Sequence, residues 1–421
     1  MLNRKGNSET ETAPERESEA LAGRAADRFE KRRADIIAAA IPVLNGQGFK
    51  GMRLTEVAEL IGLRATGVTY YFPRKEELAV ACLESGMAVF HEMLDVAETE
   101  ASARARVSRL IHLFVDRDAA VRRGEATPLA SFSSLRSLEG DHFKRVSEAY
   151  KVMFRRVRSL FESPELGHLE KPQRSVRTLI LLEQLYWAQI WLGDYDLDEF
   201  SRLAQRIEEI AANGLVEDGE PPPAMMLDSS ATARDASKDN FLRAAMQQIN
   251  SYGYRGASVD RISASLNLTK GAFYHHNEAK DELVAACFRR SFGVIREAQR
   301  VVRGQGSSEA WRLKAAVATL VRFQISGEGP LLRTSVMWSM PRELQAEIMG
   351  LSYKASRQFS SMVADAITDG SAKPVDAAVA GAMVHAAVNV ASDLLTIRSV
   401  QKDEALVREY VRVLFGGLLR A

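Results

Sequence analysis

One stretch of this chain is written twice. Ala39-Ala40-Ile41-Pro42-Val43-Leu44-Asn45-Gly46-Gln47-Gly48-Phe49-Lys50-Gly51 returns as Ala244-Ala245-Met246-Gln247-Gln248-Ile249-Asn250-Ser251-Tyr252-Gly253-Tyr254-Arg255-Gly256. The register then holds without a gap through Lys75-Glu76-Glu77-Leu78-Ala79-Val80-Ala81-Cys82 and Lys280-Asp281-Glu282-Leu283-Val284-Ala285-Ala286-Cys287. Self-similarity at this distance implies a duplicated helical unit, so any fold must accommodate two copies of one small module.

The rest of the chain divides around those copies. Its 421 residues fit about two to four domains. Residues 1–24 are polar and without apolar period, the pattern of a disordered tail, and helical periodicity begins near Asp27. The first module occupies 25–84 and a larger helical region 85–216. Glu217-Asp218-Gly219-Glu220-Pro221-Pro222-Pro223 cannot continue a helix and opens a linker, 217–237, part stiff and part flexible. The second module spans 238–290 and its helical region 291–421. Apolar residues recur at three and four spacing, as in Leu179, Leu182, Tyr186, Ile190 and in Val407, Tyr410, Val411, Leu414, and strand signals are nearly absent. The fold class expected is all-α.

Composition excludes more than it selects. A net charge of +1 gives no global sign of a polyanionic partner, so any nucleic-acid case must rest on local charge. With 46% hydrophobic and 26% charged residues the chain is an ordinary soluble globular protein. Cys82 and Cys287 are its only cysteines, at matching places on apolar helical stretches. They read as buried core residues rather than a disulfide or metal site, and a reducing cytoplasm is the natural compartment. Asn3 to Glu19 has no apolar core and so is no signal peptide. The most apolar long stretch, Val375 to Ile397, is interrupted by Asp376, His385, Asn389 and Asp393, which suits a buried helix and not a membrane span.

The repeated module has the order of a DNA-reading unit. A first helix, about 29–47 or 239–252, stops at Gly48 or Gly253. A second covers 54–61 or 259–266, with Ser258 a good N-cap and Arg53 a poor one. Gly62 and Asn267 then take matching positions, and these residue types accept positive φ most readily. Leu63 and Leu268 plug the turn, Val68 and Phe273 face the core, and small Ala58 and Ser263 permit a close crossing. The third helix is short, 66–72 or 271–276. A helix, a glycine-type turn and a short exposed helix make helix-turn-helix geometry, in which the short helix enters the major groove and its neighbours touch phosphates. Thr69, Tyr70, Tyr71, Tyr274, His275 and His276 are exposed in this arrangement. Arg64 and Lys270 flank the turn, and Lys75 and Lys280 open the fourth helix against the macrodipole, which points to an outside anion. Arg24, Arg28, Lys31, Arg32 and Arg33 form a basic approach to the first module. Taken singly, the Tyr and His pairs suit helix packing equally well. Adjacent histidines point different ways on a helix, so no metal site is expected. No Ser/His/Asp set, phosphate loop or Cys/His array marks an enzyme.

On these residues the chain resembles the TetR/AcrR family of one-component bacterial transcription regulators, as two TetR-like units in tandem. Leu268-Thr269-Lys270-Gly271-Ala272-Phe273-Tyr274-His275-His276 is close to the family's "VSKGTLYHHF" core, and Tyr70-Tyr71-Phe72-Pro73-Arg74-Lys75-Glu76-Glu77-Leu78 matches its "YYFxxKEEL" segment. Asn277, Glu278 and Thr69 depart from the family's preferred aromatic, proline and tyrosine. The resemblance implies that Tyr70, Tyr71, Lys75, Tyr274, His275 and Lys280 contact phosphates. It places Arg64, Ala65, Thr66, Thr69, Thr269, Lys270 and Ala272 near base edges, with Gly271 also in the second reading head.

The resemblance further implies that the helical regions bind an effector and dimerise. Apolar walls with a few polar groups would come from Phe132, Arg136, Phe154, Trp187 and Trp191 in the first region, and from Trp338, Tyr353, His385 and Asn389 in the second. Ordinary core is the alternative for each. Pro172 to Leu192 with Asp198 to Ala212 parallels Pro374 to Leu395 with Asp403 to Phe415, the helix pair that pairs between subunits in the family. One chain would then form an intramolecular pseudo-dimer, with further self-association open. The implied function is a DNA-binding repressor released by a small hydrophobic effector, without cofactor, metal or membrane. Its double-stranded operator would be asymmetric, two unlike half-sites for two unlike heads. An architectural or protein-regulated DNA-binding factor with no small-molecule ligand is the other reading.

Overall fold

The computed structural model describes residues 13–217, 219–227, 236–257, 261–262, 264, 280–326, 330–394 and 404–420. Among them every regular element is helical. The first half runs α1 (Ala13–Gly51), α2 (Leu54–Leu60), α3 (Ala65–Tyr71), α4 (Lys75–Ala97), α5 (Ala103–Arg122), α6 (Gly140–Ser159), α7 (Lys171–Trp191) and α8 (Phe200–Asn213). The second runs α9 (Ala236–Gly256), α10 (Lys280–Val301), α11 (Glu309–Ile325), α12 (Arg342–Thr368), α13 (Ala377–Val390) and α14 (Glu404–Gly416). Short 3-10 helices, Phe132–Ser137 and Thr334–Ser339, stand at matching places before α6 and α12.

The repetition in sequence is a repetition in bonding. Gly48 and Gly253 break their helices with φ of 66° and 72°. Asn45 donates Nδ2 to the Leu129 carbonyl at 2.8 Å and accepts from the Ser131 amide at 2.7 Å. Asn250 makes the same fork, to Leu331 at 2.9 Å and from Arg333 at 3.1 Å. Cys82 and Cys287 are both buried free thiols, 3.8 Å from the carbonyls of Ile37 and Leu242. Burial pushes the Cys82 thiol up to about 12. Helix α1 begins at Ala13 and not near Asp27. Alanines at 13, 20, 22, 25 and 26 favour helix strongly enough to carry α1 through the polar segment read as a tail.

The halves meet along a helical seam. α13 packs on α7 and α8, and α14 packs on α7. At its end the chains cross closely. The Leu215 amide donates to the Phe415 carbonyl at 2.7 Å, and the Leu418 amide to the Ala211 carbonyl at 2.7 Å. Gly214 (φ 70°) and Gly417 (φ 101°) sit at this crossing, and a Cβ on either would fall within 2.5 Å of opposing backbone. Only glycine fits there. Arg177 of α7, 1% exposed, is fastened by Nε to the Leu418 carbonyl at 3.0 Å and by Nη2 to the Arg420 carbonyl at 2.7 Å. The described part of the linker is docked, with Pro221 and Pro222 buried and the Met225 amide bonded to Thr319 Oγ1 of α11 at 2.8 Å. The 3-10 helices cross over: α9 packs on Phe132–Ser137, α1 on Thr334–Ser339, and α1 touches α9.

Candidate DNA-binding site and effector region

The first module closes its turn through backbone. Helix α2 ends with the Leu63 amide on the Ala58 carbonyl at 2.8 Å and the Gly62 amide on the Glu59 carbonyl at 3.2 Å. Gly62 has φ 65°, so this is a glycine-capped helix end that swings the chain into α3. Val57, Ala58 and Val68 are buried at the crossing, and Leu63 packs beneath it. The outer surface of α3 is left to solvent.

The residues expected to form the first reading head lie on that surface. Arg64 caps α3 and is exposed, Ala65 is half-buried and Thr66 exposed. Thr69 is exposed, but its hydroxyl is turned back on the Thr66 carbonyl at 3.1 Å. Tyr70 is 70% exposed, while Tyr71 is half-buried with its ring centroid 4.7 Å from that of Phe29 on α1. Lys75 begins α4 half-buried. Its Nζ lies 4.8 Å from the Phe49 ring centroid and 3.5 Å from the Lys50 carbonyl. The adverse position of this lysine thus has an internal compensation besides any outside anion. In the second head, Thr269, Lys270, Gly271, Ala272, Tyr274 and His275 lie outside the described residues, and Lys280 begins α10 half-buried.

The nine effector candidates do not converge on one cavity. Phe132 and Phe154 join an aromatic cluster in the first half. Phe132 lies 5.5 Å from Tyr150, 5.3 Å from Tyr186 and 6.3 Å from Phe90, and Phe154 lies 6.4 Å from Tyr150. The Tyr186 hydroxyl within this cluster is buried and has no hydrogen-bond partner among the described residues. Trp187, His385 and Asn389 belong instead to the seam. Trp187 Nε1 donates to Glu183 at 2.9 Å and its ring lies 6.0 Å from His385, while Asn389 donates to Thr334 Oγ1 at 2.6 Å. Trp191 packs beside Tyr195, Tyr353 donates its hydroxyl to Asp194 at 3.2 Å, and the Trp338 carbonyl accepts from Gln345 at 3.2 Å. The cavity that His385 and Asn389 help to line holds about 10 Å³, the space of one water. Because α7 packs on α13, Trp187 and His385 meet across the seam, whereas Tyr186 of α7 faces the aromatic cluster of its own half.

Arg136 has the most telling position. It reaches Asp393 of the other half, which also binds Arg333. Burial alone would raise the Asp393 carboxyl, but Arg333 and then Arg136 outweigh it and hold it below the usual range. Beside them, burial and the Asp393 charge push Glu183 up to about 7. Burial lowers His385 to about 4, leaving it a neutral ring among Trp187, Phe292 and Phe359. Among the described residues no group of three or more His, Cys, Asp or Glu could hold a metal ion, and no helix is long and apolar enough to cross a membrane.

Residues 241–287, the second copy of the module, match the family model described as bacterial regulatory proteins, tetR family. Over those residues the chain is similar to the TetR family. It is 33% identical over 69 residues to the transposon Tn10 TetC protein of Escherichia coli, covering 15% of this chain and 35% of that protein. It is 30% identical over 91 residues to the HTH-type transcriptional regulator RutR of Escherichia coli, covering 22% and 43%. The HTH-type transcriptional repressor NicS of Pseudomonas putida is 30% identical over 95 residues, covering 21% and 45%. The chain therefore spans less than half the length of these curated relatives. Among solved structures, AibR in complex with isovaleryl coenzyme A and operator DNA aligns at 18% identity and a TM-score of 0.36, over 42% of this chain and 97% of that one. A TetR-family regulator from Bordetella parapertussis aligns at 19% and 0.37, over 43% and 94%.

Asp393, Glu183, Arg333 and Tyr186 were not singled out from the TetR-like sequence. Asp393 was visible only as a charge interrupting an apolar stretch, and that was its signal: a buried acid requires a partner. Nothing in the sequence pointed to which arginines supply it.

Proposed function

We propose that this chain is a sequence-specific DNA-binding transcriptional regulator, acting as a repressor that a small hydrophobic effector releases. The observation that carries this reading is the glycine-capped turn at Gly62. It presents a short helix with Arg64, Thr66 and Tyr70 facing solvent, in a module the chain contains twice. Such a helix suits the major groove, where arginine and hydroxyl side chains read base edges. The seam of α7, α8, α13 and α14 supports an intramolecular pseudo-dimer, in which the two heads address one duplex. For the effector, the support is the aromatic cluster around Phe132 and the Tyr186 hydroxyl, unpaired among the described residues, which a ligand acceptor would satisfy.

The test is selection of bound sequences from a random DNA pool. Two unlike half-sites about 34–36 Å apart are expected for two unlike heads on one face of the duplex. Recovery of a symmetric site would overturn the assignment of separate reading roles. The small size of the His385 cavity favours the second reading, a DNA-binding factor with no small-molecule ligand. A panel of hydrophobic metabolites decides between them: a compound that raises the Tm and releases DNA supports the effector, and a uniformly silent panel supports the factor.

A further inference from the structure

Helix α1 carries a feature that its counterpart lacks. Arg24, Arg28, Lys31 and Arg32 follow one another at spacings of four, three and one, so they share one face of a 3.6-residue helix. All four are exposed. Arg32 lies 3.8 Å from Asp35, an ion pair open to solvent on both sides, and Glu30 falls on the opposite face. The stretch is held against the reading head. Phe29 packs its ring 4.7 Å from Tyr71 and 6.0 Å from the exposed Tyr70 of α3, and the Arg33 guanidinium sits 5.2 Å from the Phe72 ring centroid. Arg24 lies about 7.5 Å along the axis from Phe29 at helical rise. Round the helix, Arg32 lies about 60° from Phe29 and Arg24 and Lys31 lie farther from it, so a duplex entered by α3 would meet the stripe at its Arg32 edge.

The second module has no such stripe. In the register that pairs Asn45 with Asn250, Arg24, Arg28, Lys31 and Arg32 stand opposite Ser229, Ala233, Ala236 and Ser237, and Phe29 stands opposite Arg234. We propose that the stripe on α1 is a sequence-independent phosphate clamp that grips DNA beyond the first reading head, on one flank of the site only. This rests on the DNA-binding reading above and adds a third, one-sided contact to the two heads. Phosphates along a duplex are dense enough, one per about 1.7 Å of axis, for a helical stripe to meet several without base contacts.

The test is hydroxyl-radical footprinting of the full chain on its pool-selected site, against the variant Arg24→Ala/Arg28→Ala/Lys31→Ala/Arg32→Ala. Alanine favours helix, so α1 is retained, and circular dichroism checks it. The wild type is expected to protect one flank beyond the first half-site. The variant should lose that flank, keep both half-sites, and show a log–log salt slope shallower by about 0.9 for each phosphate contact removed. A second variant with the three arginines changed to lysine should keep the flank, since charge is what the clamp supplies. An unchanged footprint and slope in the alanine variant, equal extension on both flanks of the wild type, or loss of the flank in the lysine variant would each overturn the clamp. A wild type that protects no DNA would instead refute the DNA-binding reading on which it stands.

Discussion

Arg136 in the first half and Asp393 in the second form a two-pronged bridge, with Nη2 at 2.9 and 3.0 Å from the two carboxylate oxygens. Arg333 binds the same carboxylate, its Nη1 at 3.0 Å and its Nη2 on the other oxygen. Arg136 belongs to one 3-10 helix and Arg333 immediately precedes the other. Those two segments pack against α1 and α9, the first helices of the two modules. One acid thus ties together the segments on which both modules rest.

Replacing that acid should cost more than replacing either base. Asp393 and Arg333 have side chains only 15% and 17% exposed, against 38% for Arg136. Asp393→Ala would leave the Arg333 guanidinium buried without its carboxylate partner, a loss of about 3–5 kcal/mol. Arg136→Ala removes a partly solvated partner and should cost about 1 kcal/mol. Urea denaturation of the two variants checks the order, and equal losses would remove Asp393 from the centre of the cluster.

Asn45 and Asn250 join each first helix to the loop before its 3-10 helix. Asparagine supplies a donor and an acceptor from one group, which is what pairs a carbonyl and an amide two residues apart. Asn45→Ala strands both backbone groups and should destabilise by about 1–3 kcal/mol. Asn45→Asp keeps the acceptor but places a carboxylate against the Leu129 carbonyl, so it should rescue little. Thermal denaturation of both, and of the Asn250 pair, would show whether the two forks are equivalent; a full rescue by Asp would assign the effect to the Ser131 amide alone.

The fold was legible because the repeat carries its own punctuation. Gly48, Gly62 and Gly253 marked helix ends that the structure places at positive φ, and Val68 was readable as the inward residue of α3. The effector region was less legible, for a physical reason. Periodicity identifies the inward face of a helix but not what that face meets, and in this chain part of the inward face of α7 meets α13 of the other half. Trp187 and His385 are therefore seam neighbours although they were read as walls of separate pockets. The start of α1 was missed because alanine outweighed the polar residues around it.

Two buried titrating groups at the seam should act in opposite senses. Glu183 moves from 4.5 in the open chain to about 7, because burial and then the Asp393 charge penalise its ionised form. The folded chain holds a proton there that the unfolded chain releases. The stability from this group is therefore full at low pH and fades as pH rises from 4.5 through 7. His385 falls from 6.5 to about 4 through burial, so the unfolded chain takes up a proton that the folded one refuses, and stability falls as pH drops from 6.5 toward 4. Glu183→Gln should leave a Tm that climbs with pH between 4 and 6.5, and His385→Asn one that declines between 4.5 and 7. Parallel Tm profiles for wild type and both variants would show that neither group titrates as placed.

Lys75 has two partners of its own, the Phe49 ring and the Lys50 carbonyl, and it also borders the reading head. The two roles separate experimentally. A cation over an aromatic face at a half-exposed site contributes about 0.5–1 kcal/mol, so Lys75→Ala should lower stability by that amount in the absence of DNA. If the ammonium also neutralises one phosphate, the salt slope of DNA binding should become shallower by about 0.9, and affinity should drop alike on all sequences. Lys75→Arg keeps the charge and the ring contact and should preserve both quantities. Tyr70→Phe, by contrast, removes one hydroxyl from the most exposed ring of α3 and should leave the salt slope intact while changing base preference or affinity. Loss of stability in Lys75→Ala with an unaltered slope would make this lysine a structural residue, and the position of a cation at the start of α4 would then be explained by its internal partners, the Phe49 ring and the Lys50 carbonyl.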